Sequence, residues 1–104
     1  MKPGDTYFVR IDRKVGEKVV DKTTLAEHLE YIKKQASETE LYGGGFTGLP
    51  GGMIIFKARD MADASLLCNS DPIIVGGFYA CELQQWELLI TSPVDRCDKW
   101  NEAR

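Results

Sequence analysis

The pattern of hydrophobic and polar residues divides the chain into six predicted elements. Stretches rich in β-branched and aromatic residues predict strands at 6–11, 40–46, 53–58 and 78–90. Apolar residues at helical spacing predict one helix from Thr24 to about Ser37 and another after Asp60. The polar stretch 12–23 has no clear period and predicts a loop. The predicted order is therefore strand–helix–strand–strand–helix–strand.

This order is that of the ferredoxin-like βαββαβ fold, an α+β architecture in which two helices cover one face of an antiparallel sheet. A right-handed crossover makes the first two strands parallel to each other. Following the chain from there places three features at one edge of the sheet. They are the start of the first helix, the hairpin between the second and third strands, and the end of the second helix. With 104 residues, of which 43% are hydrophobic, we expect one domain at 1–92 and a C-terminal tail at 93–104.

Both predicted helices begin with a capping pattern. Thr24 can act as the N-cap of the first helix, with Glu27 at the capping-box position. Asp60 and Asp63 form the same pattern before the second helix. The predicted buried faces are Leu25, Leu29, Ile32 and Ala36 on the first helix, and Met61, Ala64, Leu67 and Cys68 on the second.

The candidate chemistry rests on His28 and Asp71. His28 is the only histidine in the chain and lies on or beside the predicted buried face of the first helix. Asp71 precedes Pro72 in the order of an N-cap and a first helical residue, which predicts a short helical turn. A carboxylate can orient an imidazole and tune its basicity, so such a pair can move protons without a metal or cofactor. The alternative is a core histidine bonded to backbone and an aspartate that only caps a turn.

A glycine-rich segment, 43–48, is predicted to lie at the same edge of the sheet. Its spacing matches that of dinucleotide-binding loops, but those require a helix immediately afterwards, and here another strand follows. We therefore predict a tight hairpin, whose backbone can also form the floor of a cleft. Tyr31, three residues after His28, either contributes its hydroxyl to that cleft or packs against the sheet.

Charge and cysteine content argue against several classes of protein. A net charge of −3 and a pI near 5.1 do not favour a nucleic-acid or anionic-membrane partner. The three cysteines lack the spacing of a metal site, and their odd number does not favour a disulfide framework. No apolar run approaches the roughly 20 residues that cross a bilayer. We expect a cytoplasmic protein without a metal or cofactor.

The ordered set of these residues resembles the YciI-like family of the dimeric α+β-barrel superfamily. The resemblance rests on Tyr7-Phe8-Val9, His28-Leu29-x-Tyr31, Gly44-Gly45, Asp71-Pro72, Gly76-Gly77 and Trp86. It implies a homodimer in which the sheet of one protomer packs on that of the other. It also implies an active site built on a histidine and an aspartate, here His28 and Asp71. The residues expected to contact a small-molecule ligand are Tyr31, Gly44, Gly45 and Phe46.

The resemblance further implies a cofactor-independent lyase or isomerase, since a member of the family is similar to a dehydrochlorinase of chlorinated hydroxyquinols. The substrate would be a small aromatic-derived or enol-type metabolite, with His28 as general acid and base and Asp71 as either its orienting partner or a second proton carrier. A second interpretation is a non-catalytic homodimeric binding or accessory module in which His28 is structural. A third is a cofactor-free monooxygenase, for which no residue gives specific support. The loop 12–23 and the hairpin Gly-Leu-Pro-Gly-Gly depart from the family pattern where they would shape the cleft.

Overall fold

A computed structural model describes residues 1–92, so the predicted tail at 93–104 lies outside the described residues. The elements are β1 (Thr6–Lys14), α1 (Lys22–Glu38), β2 (Leu41–Gly45), β3 (Gly52–Phe56), α2 (Met61–Asn69), α3 (Pro72–Val75) and β4 (Tyr79–Glu87). The strands form one sheet in the order β2-β3-β1-β4, and each neighbouring pair is antiparallel. The ferredoxin-like α+β fold is thereby confirmed.

The first strand is longer than its apolar pattern predicted. β1 pairs with β4 as far as Lys14, opposite Tyr79, so the predicted loop at 12–23 shrinks to residues 15–21. The polar end of this strand is stabilised by backbone pairing along β4 and by the Arg13–Glu82 ion pair at 3.0 Å. Asp12 therefore belongs to a strand and not to a loop.

The helix starts differ in how well the sequence predicted them. Asp21, and not Thr24, is the N-cap of α1, because Asp21 Oδ1 accepts the Thr24 backbone N–H at 2.7 Å. Thr24 also donates its hydroxyl to Asp21, so the threonine serves the cap and does not form it. Asp60 is the N-cap of α2 as predicted, and its Oδ1 accepts the Asp63 backbone N–H at 2.8 Å. The Asp63 carboxylate bonds the backbone N–H of Arg59, so the predicted capping box with Asp60 does not close.

The cross-strand register assigns the sheet side chains to two faces. Because directly paired residues share a face, three rows lie beneath the helices. From β2 to β4 these rows are Leu41–Phe56–Phe8–Gln85, Gly43–Ile54–Arg10–Leu83 and Gly45–Gly52–Asp12–Cys81. The opposite face carries Tyr42, Ile55, Val9, Met53, Ile11 and Trp86. No helix of the described chain covers this second face, and Trp86 on it is 39% exposed.

The hydrophobic core lies between the first two rows and α2. Its fully buried members are Phe8, Ile54, Phe56, Ala64 and Cys68. The predicted buried face of α2 is thus correct at Ala64 and Cys68, whereas Met61 is exposed.

The predicted buried face of α1 is only partly correct. Leu25 and Leu29 are about half exposed, Ala36 is exposed, and Gln35 is the buried residue of this helix. The reason lies in the sheet, because two of the three β2 positions beneath α1 are the glycines Gly43 and Gly45. With no side chains to meet them, the leucines border a cavity. No helix within residues 1–92 is long and apolar enough to span a membrane.

Candidate functional site

The structure brings His28 and Asp71 together at the edge of the sheet where the chain trace placed them. His28 lies in the second turn of α1, and Asp71 is the N-cap of α3. The His28 Nδ1 atom is 2.9 Å from Asp71 Oδ1 and 2.8 Å from Oδ2. The imidazole is 16% exposed, whereas the Asp71 side chain is completely buried.

Asp71 is held as a carboxylate by donors on three sides. Besides His28, its Oδ1 accepts the Ile73 backbone N–H at 3.0 Å and its Oδ2 accepts Arg10 Nη2 at 2.9 Å. Burial alone would raise its pKa, but the hydrogen bonds from His28, Ile73 and Arg10 together keep the pKa of Asp71 below the ordinary 3.8. An ionised carboxylate only accepts hydrogen bonds, so Nδ1 of His28 carries the hydrogen. The Nε2 atom is then the basic nitrogen, and no group within residues 1–92 bonds to it.

Arg10 connects this pair to a second carboxylate. Its Nε and Nη2 atoms donate to Asp12 Oδ1 and Oδ2 at 2.8 and 2.9 Å, and the same Nη2 donates to Asp71. Arg10 is 1% exposed. Burial alone would lower its pKa, but the bonds and charges of Asp12 and Asp71 raise it further above the ordinary arginine value. The result is a continuous chain Asp12–Arg10–Asp71–His28 that joins β1, α3 and α1.

Sequence reasoning missed Arg10 and Asp12. Arg10 was counted only as part of a strand, and Asp12 was assigned to the following loop. The signal was the period-2 alternation of β1, since residues 8, 10 and 12 must share one face. The structure buries Phe8 in the core, and Arg10 and Asp12, at the same parity, point beneath the helices as well. Buried charges at alternate positions predict an internal ion-pair network.

A cavity of about 510 Å³ lies between α1 and the β2–β3 corner of the sheet, next to the imidazole. Its walls are mainly apolar, with Leu25, Leu29 and Ile32 on the helix side and Leu41 and Ile54 on the sheet side. Its floor is the glycine backbone at 43–45 and 51–52. The titratable groups on its wall are Asp12, His28 and Tyr79. The site thus combines an apolar chamber with one basic nitrogen and one carboxylate.

Glycine shapes this cavity in two different ways. Gly51 has a φ of +108°, and a Cβ there would overlap the Asp12 carbonyl oxygen, so the hairpin can lie directly against β1 only with glycine. Gly45 has no such requirement, because the nearest atom to an added Cβ would be 3.8 Å away. At Gly43 the nearest atom would be 3.4 Å away. The cavity therefore exists because these two helix-facing positions lack side chains that would fit.

The four predicted ligand contacts are placed differently. Gly44 and Gly45 line the cavity, whereas Tyr31 and Phe46 are not among its lining residues. Tyr31 donates its hydroxyl to the Leu67 carbonyl at 2.6 Å, which corresponds to the packing alternative. Burial, reinforced by the charge of Asp71, raises the pKa of Tyr31, so its hydroxyl stays protonated in this bond. Within the described residues no group of three or more histidine, cysteine or carboxylate side chains is arranged to hold a metal ion.

Comparison with solved structures identifies a protein of similar fold. It is 5-chloro-2-hydroxyhydroquinone dehydrochlorinase (TftG) from Burkholderia phenoliruptrix AC1100, in complex with 2,5-dihydroxybenzoquinone. The TM-score is 0.61 at 16% sequence identity, covering 78% of this chain and 93% of the dehydrochlorinase. A de novo designed protein, Foldit4, matches with a TM-score of 0.45 at 14% identity, covering 80% and 96%. No family model and no curated protein matches the chain. At this level of identity, the likeness to the dehydrochlorinase shows a shared fold.

Proposed function

We propose that the protein is a YciI-like, cofactor-independent lyase or isomerase that transfers protons on a small aromatic-derived or enol-type metabolite. The observation that carries this proposal is the placement of His28. Its Nδ1 is fixed by a buried carboxylate, and its ring lines an apolar cavity that can hold a small molecule. A positioned, oriented imidazole beside a cavity is the arrangement that general acid–base catalysis needs.

In the proposed mechanism, Nε2 of His28 removes an acidic proton from a bound ring or enol. The imidazolium that forms is stabilised by Asp71, whose negative charge is held in place by Arg10 and the Ile73 N–H. In an elimination, the electron pair of the broken bond to hydrogen forms a new double bond as a leaving group such as chloride departs with its own bonding pair, and the proton later passes from Nε2 to solvent. In an isomerisation, Nε2 returns the proton to a different atom of the same molecule.

The comparison supports the substrate class. The dehydrochlorinase is named for a chlorinated, hydroxylated ring and was solved with the flat ring 2,5-dihydroxybenzoquinone. The cavity described above has apolar walls and a backbone floor, which suit a flat ring of this size. His28, which lines the cavity, would then face the polar substituents of the ring.

Chloride release from 5-chloro-2-hydroxyhydroquinone tests the proposal directly. The expected result is turnover by the wild-type protein and a loss of about 100-fold or more in His28→Gln, since a general base contributes roughly that factor. Glu27→Gln is the matched control, because Glu27 is an exposed neighbour on the same helix. Equal rates in the wild type and His28→Gln would exclude His28 as the base.

The alternative is a binding module without catalysis, and the mainly apolar lining of the cavity favours it. Such a protein needs the cavity but no proton transfer. It would bind a neutral ring such as resorcinol equally well in the wild type and His28→Gln, and neither would release chloride. Gly45→Val should abolish binding under both interpretations, because its side chain would occupy the cavity without meeting backbone.

We further propose that the uncovered sheet face packs on a second copy of this chain. The face carries exposed apolar side chains, of which Tyr42, Met53 and Trp86 are 47%, 40% and 39% exposed, with Gln84 and Glu82 on its β4 side. Surfaces of this kind on small proteins mark interfaces. A stable homodimer would bury about 800 Å² or more per protomer. Sedimentation of the full chain at micromolar concentration should give twice the monomer mass, and a monomeric mass would contradict the proposal.

A further inference from the structure

We infer that Asp12 is a specificity-determining residue of the cavity, whose carboxylate accepts a hydrogen bond from a hydroxyl or N–H group of the ligand. The site would then select neutral molecules that carry hydrogen-bond donors and disfavour anions. This inference rests on the proposed function only in assuming that the cavity takes a small ring. It assigns a role to a residue outside the histidine–aspartate pair.

Asp12 lies in a row of the sheet that borders the cavity. Its row on the helix-covered face continues through Gly52 and Gly45, which have no side chains. On that side nothing separates the carboxylate from the cavity, and Asp12 is one of the residues lining it. The residue is otherwise enclosed, with only 8% of its surface exposed. A carboxylate so placed faces whatever occupies the chamber.

The carboxylate of Asp12 is held in one orientation by Arg10. Arg10 binds both carboxylate oxygens side-on, which fixes their orientation. Each oxygen of a carboxylate has two acceptor positions, so each can take one further hydrogen bond. Asp12 therefore has a fixed geometry and remaining acceptor capacity. These are the two properties that a specificity contact needs.

The charged groups of the cavity wall favour a neutral ligand. Within residues 1–92, no lysine or arginine side chain lines the cavity, whereas Asp12 does. Two of the Arg10 nitrogens are engaged with Asp12 and Asp71, so its charge is already matched by carboxylates. A ligand carboxylate or phosphate would be desolvated beside a negative group, with no lysine or arginine of the described chain to pair with it. A hydroxyl would instead form a charge-assisted hydrogen bond.

Binding of three matched rings tests this inference. Resorcinol carries two hydroxyl donors, 1,3-dimethoxybenzene has the same ring without donors, and 3-hydroxybenzoate adds an anion. For the wild-type chain, calorimetry should show resorcinol binding about tenfold more tightly than the other two, as expected for a hydrogen bond to a charged group. The Asp12→Asn variant should bind resorcinol less tightly and 3-hydroxybenzoate more tightly than the wild type does.

These opposite changes separate specificity from folding. Partial unfolding of Asp12→Asn would weaken the binding of all three rings together, so it cannot produce the crossed result. Glu82→Gln is the charge-matched control, because Glu82 lies on the other face of β4 and is exposed, and its preferences should equal those of the wild type.

The outcome is independent of the test on His28. If Asp12→Asn keeps the wild-type order of affinities, or if no ring binds the wild type, the role of Asp12 is overturned. Chloride release by the wild type and its loss in His28→Gln would then still support the proposed function. If instead His28→Gln keeps full turnover while Asp12→Asn reverses the preference, the proposed function fails and the specificity role stands.

Discussion

The two halves of the helix-covered layer are built on opposite principles, although they share one sheet face. At α2, Phe8, Phe56, Ala64 and Cys68 form a cluster of buried apolar side chains. Beneath α1 lie a cavity and a chain of buried charges. Strand β1 serves both halves, because Phe8 enters the core and Arg10 enters the charged network two residues later. The row of the sheet in which a residue lies therefore decides whether its side chain joins the core or the charged network, even within one strand.

The halves also differ in what they contribute to stability. Apolar burial beneath α2 stabilises the fold by about 25 cal/mol for each Å² removed from water. The charged half gains little net free energy, because desolvating Arg10 and Asp71 offsets most of their attraction. The unfilled cavity lowers the free energy of unfolding further. We therefore expect the packed half to hold the charged half in place.

The largest expected effect comes from removing the cation of the charged half. Arg10→Met would leave Asp12 and Asp71 buried without their common partner, and breaking a buried ion pair from one side costs about 3–5 kcal/mol. Urea denaturation should show this as a lower free energy of unfolding. Such a loss would show the cost of leaving two buried carboxylates without their cation.

Arg13→Met is the matched control for this variant. Arg13 lies on the same strand, and its ion pair with Glu82 has side chains that are 59% and 65% exposed. An exposed pair contributes about 0–1 kcal/mol, so the loss should be small. Equal losses in the two variants would show that burial of the Arg10 network does not matter to stability.

The packed half and the outline of the site could be predicted from the sequence. Strand and helix periods, with the handedness of the crossover, determined the chain direction, and direction alone brought His28 and Asp71 to one edge. The rest of the site could not be found this way. Arg10 and Asp12 are polar residues within a strand, and only their parity with Phe8 reveals their burial. The wrong cap at Thr24 has a simpler origin, since Asp21 satisfies the same rule three residues earlier.

The α1 face shows a second limit of sequence reasoning. Helical spacing identified Leu25 and Leu29 as apolar, but it cannot state what lies opposite them. The glycines of β2, which come later in the chain, decide that question. Because a cavity is defined by missing side chains, a periodic pattern on one element does not distinguish a cavity wall from a core.

The two halves should also respond to opposite ends of the pH scale. The pKa of Asp71 is lower in the folded protein than the ordinary 3.8, so the unfolded chain binds more protons in acid. The stability contributed by Asp71 is complete above the ordinary value and is lost as the pH falls through the folded value. Burial raises the pKa of the Cys68 thiol from 9.0 to about 12, so its contribution is lost between those values as the pH rises.

Denaturation across the pH range in two variants separates these contributions. Asp71→Asn should flatten the acid side of the stability profile and leave the alkaline side unchanged. Cys68→Ala should reduce the alkaline loss and leave the acid side unchanged. Identical profiles in the two variants would mean that the halves are not electrostatically distinct.

The smallest expected effect comes from removing the N-cap aspartate of one helix in each half. Asp21 caps α1 and Asp60 caps α2 with nearly equal bonds, of 2.7 and 2.8 Å, to the backbone N–H three residues on. Replacing either aspartate by alanine should cost about 1 kcal/mol. The two losses of stability should therefore be similar.

Their effects on the site should differ, because α1 carries His28 and forms one cavity wall, whereas no residue of α2 lines the cavity. Asp21→Ala loosens the turn directly before His28, so it should shift the His28 ring resonances and weaken resorcinol binding. Asp60→Ala should leave both unchanged at equal loss of stability. If both variants altered the imidazole equally, the packed half would have to support His28 directly, and the division of the layer into two independent halves would fail.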